Sequence, residues 1–253
     1  MSEEKIILMT KNLTKSFDGV RAVDNVSTYF LNGRIYAIIG PNGAGKTTFF
    51  NLLNGFFPPD RGEIYYNDKN ITRIPAWERA KEGIGRLFQD IRVFPNLTAE
   101  ENLLCFEENP YGRDPFKILF NLQKTKNINE KQKEKAREIL DKFKINPNNF
   151  VQNLSYGQQK LVALGRVLIT NSKLLLLDEP FAGIHPKFRR MIRDFLIEYV
   201  EKGNTVLIIE HDISFIKDFV EWAYLFVGGK RVTFGKIEEI MRSEEVIKGI
   251  WGI

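Results

Sequence analysis

Gly40-Pro41-Asn42-Gly43-Ala44-Gly45-Lys46-Thr47-Thr48 fits the pattern GxxxxGK[ST], which is typical of loops that wrap phosphate groups. The flanking sequence has the context that such a loop needs. Residues 34–39 predict a short buried strand before the loop, and residues 47–53 predict a helix after it. A strand, a glycine-rich loop and a helix in this order indicate an α/β fold that binds a nucleoside triphosphate.

The residue types in this loop suit the chemistry of phosphate binding. Gly40, Gly43 and Gly45 let the backbone turn tightly, so that its N–H groups point at phosphate oxygens. The N-terminus of the following helix adds positive potential. We predict that Lys46 reaches the β- and γ-phosphates and that the Thr47 hydroxyl ligates Mg²⁺.

Two carboxylates follow a second predicted strand. Residues 173–177 are mostly apolar, and Asp178 and Glu179 come directly after them. Carboxylates at strand ends lie beside the ligand crevice in such sheets. Asp178 is therefore a candidate Mg²⁺ carboxylate, acting directly or through water, and Glu179 is a candidate general base that orients the attacking water. An ordinary charged turn after a core strand is the alternative.

Four further segments make the pattern specific. Residues 154–158 read Leu-Ser-Tyr-Gly-Gln, Gln89 follows an apolar pair, His211 follows an apolar run, and Phe17 lies near the N-terminus. With the phosphate loop and the paired carboxylates, these segments resemble, in the same order, the nucleotide-binding subunit of ATP-binding cassette (ABC) transporters. The family signature reads LSGGQ, so Tyr156 occupies a position that glycine usually holds. The resemblance covers essentially the whole chain.

The resemblance implies a role for each of these residues. Gln89 would contact Mg²⁺ and the nucleophilic water, because its amide has both a donor and an acceptor. His211 would donate a hydrogen bond to the γ-phosphate, and Phe17 would stack on adenine. Catalysis would thus depend on Glu179, His211, Gln89 and Lys46, and the metal would be held by Thr47, Gln89 and Asp178.

The signature segment is expected to act on a second subunit. Ser155, Gly157 and Gln158 lie at the start of a helix predicted over residues 156–168. In the family this helix end points at the γ-phosphate bound by the other subunit, so ATP holds two subunits together head to tail. The partner would be a second copy or a different ATPase. A helix N-cap formed by Ser155 is compatible with this role. His185 holds a position where the family usually has Asp, which puts one contact between subunits in doubt.

The same resemblance implies the fold: α/β, a P-loop NTPase with a RecA-like core, an antiparallel β-subdomain and an α-helical subdomain. We expect a single domain over residues 1–253. Its RecA-like and β-regions would cover residues 1–90 and 168–253, and its helical subdomain about 91–167.

Local patterns give the expected elements. Residues 6–9, 26–31 and 63–67 predict antiparallel strands, and residues 222–227 and 230–234 predict a hairpin around a Gly-Gly turn. Short apolar runs beginning near 34, 84, 173 and 205 predict a mainly parallel sheet. Thr98 predicts a capped helix start, and residues 129–143 predict a helix with one apolar face, made of Ala136, Ile139, Leu140 and Phe143.

Composition limits the remaining possibilities. With 253 residues, 43% of them hydrophobic, the chain can bury a large core, yet no run approaches the roughly 18 apolar residues of a membrane span. The N-terminus Met1-Ser2-Glu3-Glu4-Lys5 lacks the apolar core of a signal peptide. The single cysteine, Cys105, excludes an intrachain disulfide, and its apolar surroundings predict a buried side chain.

Charge and family together indicate location and partners. The net charge of +5 comes from 37 basic and 32 acidic residues that are interleaved, so we expect no nucleic acid partner. The resemblance implies membrane permease subunits, a solute-binding protein in the assembled system, and a peripheral position on the cytoplasmic face of the inner or plasma membrane. The resemblance also implies that residues 89–102, with residues 92–95 as exposed candidates, line a groove that receives coupling helices from the permeases.

Several segments narrow the type of transporter. Residues 83–89, 94–98 and 179–186, and an insertion of roughly 40 residues between 106 and 148, look like ATPase subunits of branched-chain amino acid uptake systems. ATPases of urea or amide import and of lipopolysaccharide export share several of these features. An ABC ATPase acting on nucleic acid or ribosomes is an alternative of another class, as is a regulatory cassette that does not hydrolyse ATP.

Overall fold

The computed structural model describes residues 5–105 and 122–242, which divide into two compact units. The first unit contains residues 5–89, 173–182 and 192–242, and the second contains residues 90–105, 122–172 and 183–191. The helices within these residues are α1 (Lys46–Asn54), α2 (Ala76–Lys81), α3 (Ala99–Leu104), α4 (Leu122–Lys142), α5 (Tyr156–Leu168), α6 (Pro186–Glu201), α7 (Ile213–Ile216) and α8 (Ile237–Ile240).

An antiparallel sheet of four strands belongs to the first unit. Its strands, in the order β2-β1-β4-β5, are β1 (Ile6–Phe17), β2 (Val20–Leu31), β4 (Arg61–Tyr66) and β5 (Lys69–Asn70). The predicted sheet is confirmed, but β1 continues eight residues beyond the predicted end at Met9. It pairs with β2 on one side and β4 on the other, so backbone hydrogen bonds sustain it through a polar run.

A six-stranded sheet forms the other layer of strands in this unit. Its strands, in the order β10-β9-β3-β8-β7-β6, are β3 (Ile35–Ile39), β6 (Ile84–Leu87), β7 (Leu174–Asp178), β8 (Thr205–Ile209), β9 (Trp222–Val227) and β10 (Lys230–Lys236). Only the edge strand β10 is antiparallel to its neighbour. Every residue of β3, β7 and β8 is buried, as expected for parallel strands covered on both faces.

One hydrophobic core joins the two sheets to α1. Phe49 and Leu52 of α1 pack in the same buried cluster as Phe30 of the antiparallel sheet and Ile38 and Leu207 of the parallel sheet. The helix that follows the phosphate loop is therefore fixed by the core, and with it the position of the loop.

The second unit is helical within its described residues. Helices α3, α4 and α5 contact one another, and a short 3₁₀ turn at Val151–Asn153 leads into α5. Gly165 lets the helices approach closely, because a Cβ atom there would lie 3.3 Å from side-chain atoms of both Leu103 and Ile139. The prediction for α5 is confirmed, whereas α4 begins at Leu122, seven residues before the predicted start.

Helix α3 tests two predictions, a capped helix start at Thr98 and a buried side chain at Cys105. Thr98 caps α3 with a full capping box, in which its hydroxyl accepts from the Glu101 N–H and the Glu101 carboxylate accepts from the Thr98 N–H. The buried location predicted for Cys105 is wrong, since this residue is exposed at the C-terminal end of α3. The stretch 106–121 of the predicted insertion lies outside the described residues.

Candidate active site

The phosphate loop connects β3 to α1 and opens on a cavity of about 610 Å³. Residues from five parts of the first unit line this cavity. They are Ala22, Asn42, Gly43, Ala44, Gly45, Lys46, Thr47, Thr48, Gln89, Glu179, Ile209 and His211. The structure thus brings together, at the carboxyl ends of parallel strands, most of the residues that the sequence predicts for the site.

Close backbone contacts explain two of the loop glycines. A Cβ atom on Gly40 would lie 2.0 Å from the Phe226 carbonyl oxygen, and one on Gly45 would lie 2.0 Å from the Ala22 carbonyl oxygen. Gly45 also has φ +90°, in the left-handed region that favours glycine. The loop therefore lies directly against β9 and β2, which the sequence pattern does not reveal.

Lys46 is held inside the loop. Its Nζ donates hydrogen bonds of 2.8 Å to the carbonyl oxygens of Gly40 and Pro41, and the residue is only 5% exposed. Burial lowers the pKa of this ammonium, while the charges of Glu179 and Asp178 act in the opposite direction. A cation bridging the loop carbonyls gives the cavity a fixed positive centre, which suits a polyphosphate.

Asp178 ends β7 as a buried carboxylate. Its Oδ2 accepts a hydrogen bond of 2.8 Å from Nη2 of Arg86, and its Oδ1 has no hydrogen-bond partner among the described residues. Burial raises the pKa of the Asp178 carboxyl, and Arg86 opposes that shift. Thr47 and Gln89 line the cavity, and the Thr47 hydroxyl is close enough to the Asp178 carboxylate to oppose the rise in its pKa. The available ligand atoms are therefore oxygen atoms of the kind that Mg²⁺ prefers.

The described residues contain no cluster of three or more His, Cys, Asp or Glu side chains that could hold a metal. A site with one carboxylate and one hydroxyl instead fits Mg²⁺ that is held together with substrate phosphates.

Glu179 and His211 face each other across the cavity. Glu179 Oε1 lies 3.1 Å from Nε2 of His211, and their side chains are 19% and 43% exposed. Glu179 has φ +47°, a conformation that its N–H stabilises by donating to the Ile209 carbonyl oxygen at 2.9 Å. A partly buried carboxylate beside an imidazole can accept a proton from water and hold a second hydrogen-bonding group nearby.

Glu210, which the sequence analysis did not select, positions this pair. Its buried carboxylate accepts hydrogen bonds from the N–H groups of Phe181, at 2.8 Å, and His211, at 3.2 Å. It therefore ties together the segments that follow β7 and β8. An acidic residue directly before His211, at the end of an apolar strand, was the available signal.

Several predicted residues do not line the cavity. Phe17 lies at the end of β1, 43% exposed, with its ring edge-on to Phe57 at 5.2 Å between centroids. It is therefore available for stacking and does not belong to the core. Asp178 lies outside the lining, as do Gly40 and Pro41, although the last two contact Lys46 through their carbonyl oxygens.

The signature residues belong to the second unit. Ser155 caps α5 through a capping box with Gln158, whose Oε1 accepts from the Ser155 N–H at 3.0 Å. Gly157 has no room for a side chain, since a Cβ atom there would lie 2.6 Å from the Phe188 ring. Tyr156 is 53% exposed, and His185 is exposed with its Nδ1 accepting from the Lys187 N–H. The contact of these residues with nucleotide stays a prediction.

The fold and the cavity define a nucleotide-binding protein of the P-loop NTPase class, with a phosphate loop between a parallel strand and a helix. Residues 23–182 match the profile of the family described as "ABC transporter". The chain belongs to this family, as the resemblance indicated, and is an ABC-type ATP-binding subunit. ABC cassettes of this kind are ATPases.

Similar proteins extend over nearly the whole chain. The "Probable branched-chain amino acid transport ATP-binding protein LivG" of Methanocaldococcus jannaschii is 37% identical over 245 residues, covering 96% of this chain and 95% of the relative. The protein of the same name from Archaeoglobus fulgidus is 35% identical, covering 96% and 94%. The "Lipopolysaccharide export system ATP-binding protein LptB" of Haemophilus influenzae is 35% identical, covering 95% of each.

Solved structures agree with the fold. A nucleotide-free ATP-binding cassette from an ABC transporter matches with a TM-score of 0.84 at 34% identity, covering 96% of this chain and 98% of that one. A cassette in its ADP conformation matches with a TM-score of 0.82 at 32% identity, with the same coverage. A dimeric cassette in a post-hydrolysis state, bound to ADP and Pi, matches with a TM-score of 0.76 at 27% identity, covering 91% and 99%.

No helix in residues 5–105 or 122–242 is both long enough and apolar enough to cross a membrane. ABC ATP-binding subunits of transport systems work with membrane permeases.

Proposed function

We propose that this protein hydrolyses Mg²⁺·ATP in the cavity at the phosphate loop and thereby powers the uptake of branched-chain amino acids. The observation that carries the ATPase assignment is the single cavity that combines Lys46, Thr47, Gln89 and the Glu179–His211 pair. The cargo is supported by the names of two relatives, of which this chain covers at least 94% of the length.

In this proposal each residue has a defined task. Loop residues 40–48 bind the triphosphate through backbone N–H groups, and Lys46 neutralises the β- and γ-phosphates. Mg²⁺ would be held by Thr47, Gln89 and Asp178, and would supply neutralisation of the charge that develops on the phosphates. Phe17, which is exposed at the end of β1, stacks on the adenine ring.

Glu179 is the general base. Its carboxylate takes a proton from the water that attacks the γ-phosphorus, while His211 donates a hydrogen bond to a γ-phosphate oxygen. The 3.1 Å between Glu179 Oε1 and His211 Nε2 supports this arrangement, because both groups can then reach the same small region. Gln89, which lines the same cavity, orients the water.

Two subunits close head to tail over ATP. Ser155, Gly157 and Gln158 of each subunit would contact the γ-phosphate held by the other, and a dimeric relative bound to ADP and Pi supports such an assembly. The partner is a second copy or a different ATPase. The dimer would lie on the cytoplasmic face of the membrane against permease subunits, with a solute-binding protein completing the system.

The chain would act as a single ABC ATPase domain over residues 1–253. RecA-like and β-regions at 1–90 and 168–253 would bind the nucleotide, and a helical subdomain at about 91–167 would present the signature residues and contact the permeases. The two compact units found among the described residues support this division in outline.

Lipopolysaccharide export is a second candidate function. It is supported by the relative from Haemophilus influenzae, which is 35% identical over nearly its whole length. The two functions require different permeases but the same ATP chemistry, so the partners decide between them.

Co-purification of a tagged Glu179→Gln variant from native membranes with ATP present tests the proposal. Mass spectrometry should find membrane permeases, and their identity distinguishes amino acid uptake from lipopolysaccharide export. Lys46→Ala, which removes the phosphate-binding ammonium, is the control that should recover less partner ATPase. Recovery of ribosomal or DNA-bound proteins without any permease would overturn the transporter function while leaving the ATPase chemistry intact.

A further inference from the structure

Arg86 forms a buried ion pair with the predicted metal carboxylate. Its side chain is 4% exposed, and its Nη2 donates to Oδ2 of Asp178 at 2.8 Å. The guanidinium also lies over the rings of Phe50, at 4.7 Å, and Phe88, at 5.3 Å. Burial lowers the Arg86 pKa only to about 10, so the group is a permanent cation at neutral pH.

The sheet fixes this pairing. Arg86 of β6 lies opposite Leu176 in the neighbouring parallel strand β7. Side chains two residues apart on a strand point to the same face, so Asp178 comes beside Arg86 on one face of the sheet. The contact joins the strand before Gln89 to the strand before Glu179, and both of those residues line the cavity.

The pair leaves polar atoms unsatisfied. Among the described residues, Arg86 Nε and Nη1 and Asp178 Oδ1 are buried without a hydrogen-bond partner. A buried ion pair that serves stability alone is expected to satisfy such atoms, because each unsatisfied one costs free energy. Here Arg86 occupies one carboxylate oxygen, and the carboxylate also lies close to the Thr47 hydroxyl, which acts to lower its pKa. The remaining oxygen is left available to a further ligand beside Thr47.

We propose that Arg86 is a positioning residue of the metal site, which neutralises the Asp178 carboxylate in the metal-free state and thereby weakens its attraction for Mg²⁺. This inference rests on the proposed nucleotide site. In metal-free protein the Arg86 guanidinium serves as the counter-ion of Asp178. A Mg²⁺ held at Asp178 would share a carboxylate that already has one cation, with the fixed positive charge of Arg86 close by. Arg86 therefore favours release of the metal and nucleotide after each cycle.

The magnitude can be measured. A buried unit charge several Å from a divalent ion changes its affinity by about tenfold or more, even at an effective dielectric constant of 20. Arg86→Met keeps the apolar contacts with Phe50 and Phe88 but removes the charge. Mg²⁺ should then bind more tightly, because the competing charge of Arg86 beside Asp178 has been removed.

The experiment compares thermal unfolding with ADP plus EDTA and with ADP plus Mg²⁺, together with Mn²⁺ binding to the ADP complex by electron paramagnetic resonance. Wild type should show a metal-dependent rise in Tm. Arg86→Met should show a larger rise and Mn²⁺ binding tighter by about tenfold or more. Arg86→Lys, which keeps the charge, should resemble wild type. If Arg86→Met does not yield folded protein, Arg86→Gln gives the same test.

Arg79→Met is the matched control. Arg79 is equally buried, but its guanidinium contacts only backbone carbonyl oxygens. Its loss should lower Tm by the same amount with and without metal. An Arg86→Met variant that lowers Tm equally in both conditions, or that binds Mn²⁺ more weakly than wild type, would overturn the inference. Absence of any metal-dependent rise in the wild type would instead contradict the proposed metal site itself.

Discussion

Glu179 places a reactive carboxylate on an unusual backbone conformation, with φ +47° directly after a buried strand. The left-handed conformation turns the chain sharply, and the side chain that results points into the cavity beside His211. A non-glycine residue in this region costs about 1 kcal/mol or more, which the surrounding hydrogen bonds offset. The position of the base is thus a property of its backbone as well as its side chain.

Glu179→Gln should lower the ATP turnover rate by at least about 100-fold, because the amide cannot take a proton from water. ATP binding should survive, since the cavity keeps its shape and Lys46. Turnover can be followed by phosphate release and binding by a fluorescent ATP analogue. Glu201→Gln, a change at an exposed carboxylate near the end of α6, should leave turnover unchanged. A Glu179→Gln protein with more than about a tenth of wild-type turnover would exclude this residue as the base.

Alanine substitutions at Gly45 and Gly43 test whether the phosphate loop depends on its close contact with β2. Both have positive φ, but a Cβ atom on Gly45 would clash with the Ala22 carbonyl oxygen at 2.0 Å, whereas one on Gly43 meets no atom within 4 Å. Gly45→Ala should therefore weaken ADP binding and lower Tm much more than Gly43→Ala, in which only backbone strain of about 1–2 kcal/mol is added. Calorimetric titration and thermal unfolding measure both. Equal effects of the two substitutions would show that the contact with β2 does not shape the loop.

At the scale of elements, a buried arginine of α2 contacts the C-terminal end of α1, the helix that follows the phosphate loop. Arg79 of α2 donates from Nη1 to the carbonyl oxygens of Leu52 and Leu53, at 2.7 and 2.8 Å, and from Nε to Ile74. The Leu52 carbonyl oxygen also accepts from the Gly55 N–H at 3.1 Å, whereas the last carbonyl groups of a helix generally lack a partner within it. The Arg79 side chain thus supplies donors at the C-terminal end of α1 and connects it to α2.

Arg79→Met should lower the free energy of unfolding by about 3 kcal/mol or more, because several buried carbonyl oxygens lose a charged donor at once. Chemical denaturation measures this change. Lys81→Met is the control on the same helix: Lys81 is exposed, so the expected change is within about 0.5 kcal/mol. If Arg79→Met unfolds at the wild-type denaturant concentration, the helix end does not depend on this arginine.

The elements also show how far sequence patterns reach. Strands β3, β7 and β8 are predictable because burial on both faces demands unbroken apolar runs. The continuation of β1 was missed because Thr10 is polar, yet it is buried and its hydroxyl is paired with Thr28 at 2.9 Å. Tertiary hydrogen bonding overrides the local pattern in that case.

The residues of the candidate site also differ in whether the local sequence predicts them or only tertiary contacts bring them together. The phosphate loop and Asp178–Glu179 carry local signals, because each lies at the junction of a strand and the next segment. The Arg86–Asp178 pair had no such signal, since its members are 92 positions apart and meet only through the register of β6 and β7. The wrong prediction for Cys105 has a similar origin: Leu103, two positions before it, is buried, but its own position at the end of α3 is exposed.

At the scale of the whole molecule, Ser155 is both the N-cap of α5 and the proposed contact with the nucleotide of a partner subunit. A substitution can test these two roles separately. Its capping box with Gln158 is complete without any ligand. Aspartate is as good an N-cap as serine but carries a negative charge that phosphate repels.

In a Glu179→Gln background, Ser155→Asp should retain the wild-type Tm but abolish the ATP-dependent dimer seen by size-exclusion chromatography with light scattering. Ser155→Ala should instead lose about 1 kcal/mol of stability, because it removes the cap. Dimer formation by the Ser155→Asp protein at wild-type ATP concentrations would contradict the proposed contact across subunits.

The path of the chain between its two compact units affects what recombination between related genes can exchange. The chain leaves the first unit after Gln89, returns at Lys173, leaves again after Ala182 and returns at Ile192. Two separate stretches of the gene therefore encode the second unit. A single recombination event that exchanges residues 90–172 with a relative would leave residues 183–191 from the original parent. Phe188 would then pack against a residue 157 of foreign origin, and any side chain larger than glycine at that position would meet the Phe188 ring.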